Sequence, residues 1–217
     1  MDSDLQAGAQ AKTYAIGHLA LGYLFAKGCE RGLKLRMNLP AVFVLSLIPD
    51  ADLLVPSLAH RGATHSIIVA ALVFLPLFFF LGWRSVPYFA SLLQHDLVGD
   101  LLTARGDMLL WPVTSSSFGI GIPIQSATNV SIEIGSFILA LSVLVVSGDL
   151  VRLIEPHKSN LLLLIPSGVI LASFLFGVAG EIAPTSLLIP HISLLLLFVL
   201  SMVSFFSHRI GRKHVDR

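Results

Sequence analysis

Two kinds of ionisable side chain recur inside or beside the most apolar stretches of the first half of this chain. They are His18, Asp50, Asp52, His60, His65, His95, Asp96 and Asp100. Such groups are expensive in a bilayer, so they face the protein interior, pair with one another and by default mark a functional site. Imidazoles and carboxylates are also the ligand set that divalent metals prefer. The pattern predicts a metal centre at one face of a membrane protein.

Composition sets the class. Of 217 residues, 55% are hydrophobic and 12% charged, against roughly 25% charged in soluble domains, and the mean hydropathy is +0.85. Seven apolar stretches can be read, at 14–27, 39–57, 65–82, 86–104, 131–150, 160–180 and 186–206. They predict an all-α polytopic integral membrane bundle of about seven transmembrane segments. The expected organisation is one membrane domain over 1–217, with 1–115 as the metal-site half and 116–217 as scaffold helices. The polar, partly acidic N-terminus lacks the basic start of a cleavable signal peptide, so the first helix is expected to be retained. The net charge of +1 supplies no basic face for nucleic acid. Cys29 is the single cysteine and cannot form an intrachain disulfide. Nothing in the sequence specifies an oligomeric state.

Lys and Arg predict the orientation. With the N-terminus outside, 11 of them fall inside and 3, Lys12, Arg61 and Arg105, fall outside, as the positive-inside rule favours. The chain is then a multi-pass plasma membrane protein with a cytoplasmic C-terminus. That topology gathers His18, Asp50, Asp52, His60, His65 and Asp100 near the outer face, with His95 and Asp96 a turn deeper and Glu133 opening a segment on the same side.

Each motif has its own chemistry. In LIPDADLL, Asp50 and Asp52 stand two apart in an apolar run, where carboxylates repel and a divalent cation relieves both repulsion and burial. Pro49 loosens the helix there. In HRGATHSI, His60 and His65 are five apart, a poor spacing for one helix face but suited to a loop ligand followed by a helix-start ligand. Thr64 is a candidate N-cap for that helix, and Arg61 could hold a substrate anion. In QHDLVGDLLT, Asp96 and Asp100 share a helical face, while His95 points elsewhere and could reach a second metal or orient a ligand. GHLALGYLF sets His18 between Gly17 and Gly22, which permit close helix packing. Glu133 is a further candidate ligand or general base. His157, His191, His208 and His214 fall outside the cluster. The stretch at 105–130 is rich in Gly, Pro and Ser and is the longest non-helical segment, a length usually functional or mobile.

The order GHLALGYL, IPDADLL, HRGATHSI, then HDLVGDLLT followed by LLWP, resembles the YdjM-like family of membrane-bound metal-dependent hydrolases, some described as LexA-regulated. The resemblance covers 16–115. That family is in turn distantly similar to zinc-dependent phospholipase C, an all-α bundle whose His and Asp ligands hold a metal cluster. The resemblance implies that His18, Asp50 or Asp52, His60, His65 and Asp100 match ligand-type positions. Where family members show a pattern like SHLLLDALT, this chain has Asp96 at the His position and His95 beside it, so either could be the ligand and one or two ions could be held.

The expectation is a membrane-embedded hydrolase using Zn²⁺, or alternatively Mn²⁺. Asp52 or Asp96 would be the base and Arg61 would offset substrate charge. The substrate would be an amphiphilic molecule or phosphoester, met from the lipid bilayer at the extracytoplasmic face. The alternatives are a divalent-metal transporter or channel component, and a structural metal-binding membrane protein.

Overall fold

A chain this apolar must satisfy its backbone internally, and helices do so locally. The computed structural model describes residues 14–54, 62–103, 107–175 and 183–215, and every regular element among them is helical. In chain order these are α1 (Ala15–Gly32), α2 (Leu39–Leu45), α3 (Ile67–Leu81), α4 (Val86–Gln94), α5 (Leu101–Thr103), α6 (Ala127–Val146), α7 (Asp149–Ile154), α8 (Leu164–Leu175) and α9 (Leu188–Val215). A π-helical turn, His95–Asp100, joins α4 to α5.

α1 is the central post. It packs most extensively against α4 and α6. Its Leu19 and Tyr23 are fully buried, as are Phe43 of α2, Leu144 of α6 and Phe198 of α9. The rings of Phe43 and Phe198 meet with centroids 5.0 Å apart. Gly22 makes the crossing with α2 and α4 possible, since a Cβ there would lie 2.4 Å from Ser46 Cβ and 2.9 Å from Ser91 Oγ.

Among the described residues, three helical stretches are long and apolar enough to cross a membrane, at 67–100, 127–146 and 185–210, where the segment reading expects seven spans. The physical reasons differ by segment. The first segment, 14–27, is the apolar part of α1, whose last turns carry Lys27, Glu30 and Arg31. The second is broken, with α2 ending at Leu45 and a separate 3-10 turn beginning at Pro49, as a proline that donates no hydrogen bond requires. The third and fourth are one apolar stretch folded back on itself at Gly82, whose φ is +56°. A straight 34-residue helix would be roughly 51 Å long. Yet His65 Nδ1, just ahead of it, lies 3.4 Å from Asp100 Oδ2 at its end. Phe74 of α3 stacks on Phe89 of α4 across this hairpin, 4.0 Å between centroids. The sixth segment yields a shorter apolar helix, Lys158–Ser173.

At the end of α1 away from His18, a buried ionic cluster replaces the apolar core. Lys27 pairs with Glu30 and, at 2.7 Å, with Asp149. Asp149 also accepts from Tyr23 Oη at 2.9 Å and from Arg152 at 2.5 Å. Two cations and two anions balance, and α1 is thereby tied to α7. Removing one member leaves an uncompensated buried charge, so Asp149→Ala is expected to cost about 3–5 kcal/mol of stability. Thermal unfolding in detergent checks this, and the folded fraction should bind metal as the wild type does.

Candidate metal centre

His18 is delivered by the first turn of α1. That turn has no side-chain cap of its own at Tyr14, so its free N–H groups need partners from elsewhere. Glu133 of α6 supplies them, accepting from Tyr14 N at 2.6 Å and Gly17 N at 2.9 Å. Glu133 therefore serves as a remote cap that fixes the register of α1, an engagement different from the ligand or base role the sequence suggests.

Asp50 and Asp52 come from the 3-10 turn Pro49–Leu54. His65 closes a second short turn, Ala63–His65. The N-cap of α3 is Ser66, whose Oγ accepts from Ile68 N and Val69 N. It takes the place expected for Thr64, which instead donates to Asp52 Oδ2 at 2.8 Å.

The π turn solves a problem of direction. Residues five apart lie on different faces of an α-helix, which is why His95 reads as pointing away from Asp100 in the sequence. Here Leu101 N–H bonds back to Asp96 O. That i→i+5 closure widens the turn and sets His95 and Asp100 toward one centre.

Asp50, His65, His95 and Asp100 each offer one ligand atom, and these atoms lie within 4.8 Å of one another. His65, His95 and Asp100 are buried, while the Asp50 side chain is 23% exposed. His95 shows how the group suits a cation. Its Nδ1 is 2.7 Å from the Ser46 carbonyl, which only accepts, so Nδ1 carries the proton. Its Nε2 then faces Asp100 Oδ2 at 3.5 Å and Asp50 Oδ1 at 3.7 Å, beyond ordinary hydrogen-bond length. A bare nitrogen lone pair aimed at two carboxylates is repulsive, so in the metal-free protein Nε2 is protonated, and a divalent cation can take that proton's place. The backbone bond to the other ring nitrogen is the usual way a metal-ligating His is oriented.

The other predicted residues surround this quartet. His18 stacks on His95 at 3.6 Å between centroids and 10° between planes, with Nε2 3.6 Å from Asp100 Oδ1. Asp96 Oδ1 lies 2.9 Å from His65 Nδ1, and Asp52 Oδ2 lies 3.6 Å from His65 Nε2. His65 thus stands among four carboxylates. Burial pushes its pKa down, but hydrogen bonds to Asp100 and Asp96 outweigh this and raise it to about 9 in the metal-free protein. Burial pushes Asp50 up, and the positive charge of His95 overcomes that to hold it below the usual carboxylate range. His60 and Arg61 lie outside the described residues.

Two supports escaped the sequence. The Ser46 carbonyl is backbone and leaves no residue-type signal. Gln94, whose Nε2 donates to His18 O at 3.0 Å, opens the QHDLVGDLLT motif but is uncharged and carries no ligand signal. Gly99 is required more tightly than its packing context suggests, since a Cβ there would lie 2.6 Å from both Cε1 and Nδ1 of His18. Gly99→Ala is therefore expected to displace His18 from its stack. It should cost roughly 1–3 kcal/mol of stability and weaken metal binding, measurable by thermal unfolding and metal titration.

A family model described as YdjM inner membrane protein matches residues 14–180. The chain belongs to the YdjM inner membrane protein family. The match spans the whole quartet, the Glu133 cap and the ionic cluster at Lys27 and Asp149, so both polar centres of the bundle lie within the family region. Among the curated proteins and the solved structures, nothing matches this YdjM family member.

Proposed function

We propose that this protein is a membrane-embedded metal-dependent hydrolase that holds one divalent ion, Zn²⁺ or Mn²⁺, among Asp50, His65, His95 and Asp100. The observation that carries the reading is a buried quartet of mixed nitrogen and oxygen donors with one partly exposed member, Asp50. Such a group admits substrate from one side. A divalent ion there supplies Lewis acidity toward a phosphoryl oxygen and lowers the pKa of water. The chain does the rest. Asp96 holds His65 in orientation, Ser46 O fixes the His95 tautomer, and His18 packs behind His95. Asp52, on the same turn as Asp50, is the general base. Arg61 is the proposed partner for substrate charge.

Permeation needs polar groups along a path. Here Leu19, Ala20, Tyr23 and Ala26 of α1 are buried in the apolar core between His18 and Lys27, and the second ionic cluster is already balanced. Purified protein is expected to cleave a phosphoester with added Zn²⁺ or Mn²⁺ and to stop on chelation, while proteoliposomes show no metal flux. Asp100-dependent uptake of Zn²⁺ or Mn²⁺ without any turnover would replace the hydrolase with a transporter.

The proposed orientation places the site outside, on the Lys/Arg asymmetry. A cysteine introduced at exposed Gln125, ahead of α6, is expected to react with an impermeant thiol reagent on intact cells, in a Cys29→Ser background. One at exposed Ser207 of α9 is expected to react only after lysis. The reverse pattern moves the chemistry to the cytoplasm.

A further inference from the structure

No ionisable residue occurs from Met108 to Ile132, yet the part of this stretch that precedes α6 is a surface loop displaying apolar side chains. Val113 is 80% exposed, Ile120 65% and Trp111 39%. The loop is clamped to two of the three segments that supply the quartet. On one side Ile67 N donates to Leu109 O at 3.0 Å and Ser66 Oγ donates to Trp111 O at 2.5 Å, directly after His65. On the other side Ile120 N donates to Leu101 O at 2.9 Å and Ile122 N to Leu102 O at 3.3 Å, directly after Asp100.

These bonds fix the level of the loop. Trp111 lies beside the N-terminus of α3, whose Leu72, Val73, Phe79 and Phe80 form an exposed apolar surface on one arm of the 67–100 hairpin. The loop continues that exposed apolar surface past the end of the helix. Apolar side chains with a Trp at the end of an apolar helix are what the bilayer interface favours. An uncharged exposed patch of this kind needs a partner surface.

We infer that the 108–122 loop is seated in the headgroup–acyl boundary of the leaflet on the metal side, so that the site draws its substrate from the lipid phase. The seating stands on the loop alone. The source of the substrate rests on the hydrolase reading above.

Trp83 and Trp111 are the two tryptophans, so Trp83→Phe leaves Trp111 as a single reporter. In phosphatidylcholine–phosphatidylglycerol vesicles its emission is expected to be blue-shifted, quenched by lipids brominated near the headgroup, and insensitive to aqueous iodide. Quenching by iodide without quenching by brominated lipid overturns the seating. Protection from both quenchers, lost when the protein is diluted in detergent, also overturns it and assigns the patch to a second copy of this chain. Val113→Asp with Ile120→Asp is expected to lower turnover of a vesicle-borne phosphoester about tenfold, while turnover of a soluble short-chain phosphoester stays unchanged. Equal losses on both substrates overturn the lipid-phase supply. If the wild type turns over neither substrate, the hydrolase reading falls with it, while the quenching result still decides where the loop sits.

Discussion

Asp100→Asn protein is expected to fold, insert and come through purification without its ion. The substitution keeps the side-chain volume but removes the carboxylate that faces His95 at 3.5 Å and His65 at 3.4 Å. Loss of an oriented partner of a ligand typically lowers metal affinity about 10–100-fold, and loss of a charged ligand exceeds that. His65→Ala is expected to behave alike, because the quartet draws on three separate segments and cannot be completed from two. Asp52→Asn is the contrasting case. Asp52 stands beside His65 and outside the quartet, so this variant should keep its ion with affinity lowered by roughly 10–100-fold. Metal analysis of the three purified proteins, with thermal unfolding to confirm folding, separates these outcomes. Full metal stoichiometry in both Asp100→Asn and His65→Ala would remove the proposed coordination.

Metal uptake by the wild type is expected to strengthen steeply with pH. In the metal-free protein His65 has its pKa raised to about 9 by hydrogen bonds to Asp100 and Asp96 that outweigh its burial. A ligand must be neutral, so below that pH the ion displaces a proton, at about tenfold in apparent affinity per pH unit. The same group makes the metal-free protein respond in the opposite sense. A folded-state pKa above the unfolded value of roughly 6.5 stabilises the fold fully below the lower value, and this stabilisation is lost as pH rises through the higher one. Asp50, held below the carboxylate range, contributes only at acid pH and leaves this window unchanged. Thermal midpoints with chelator should therefore fall between about pH 6.5 and pH 9, while those with saturating Mn²⁺ hold or rise. Parallel pH trends with and without metal would show that His65 does not hold the exchangeable proton.

Much of the site is legible in residue types alone. Buried His and Asp in apolar surroundings are so costly that their placement implies a shared purpose. Of the predicted ligands, Asp50, His65, His95 and Asp100 meet, with His18, Asp52 and Asp96 against them. Roles within the set depend on directions that spacing does not encode. His95 faces the centre because the helix widens into a π turn. Asp52 is turned toward Thr64 because the Pro49–Leu54 turn is 3-10. Glu133 faces backbone amides of a helix more than a hundred residues away in sequence.

Hydropathy by itself determined that this is an all-helical membrane protein, because in a bilayer an unpaired backbone has no solvent to turn to. Patterning of His and Asp determined where the metal centre would be sought. Only the tertiary structure decided how many stretches can span. Hydropathy measures the apolarity of a window and not its path, so it cannot register that Ile67–Asp100 reverses at Gly82. The tertiary structure also decided which donors meet, because convergence of side chains from α1, two short turns and a π turn is set by helix packing at Gly22 and Gly99. Close approach of that kind is a property of two surfaces, and no single stretch of sequence contains both.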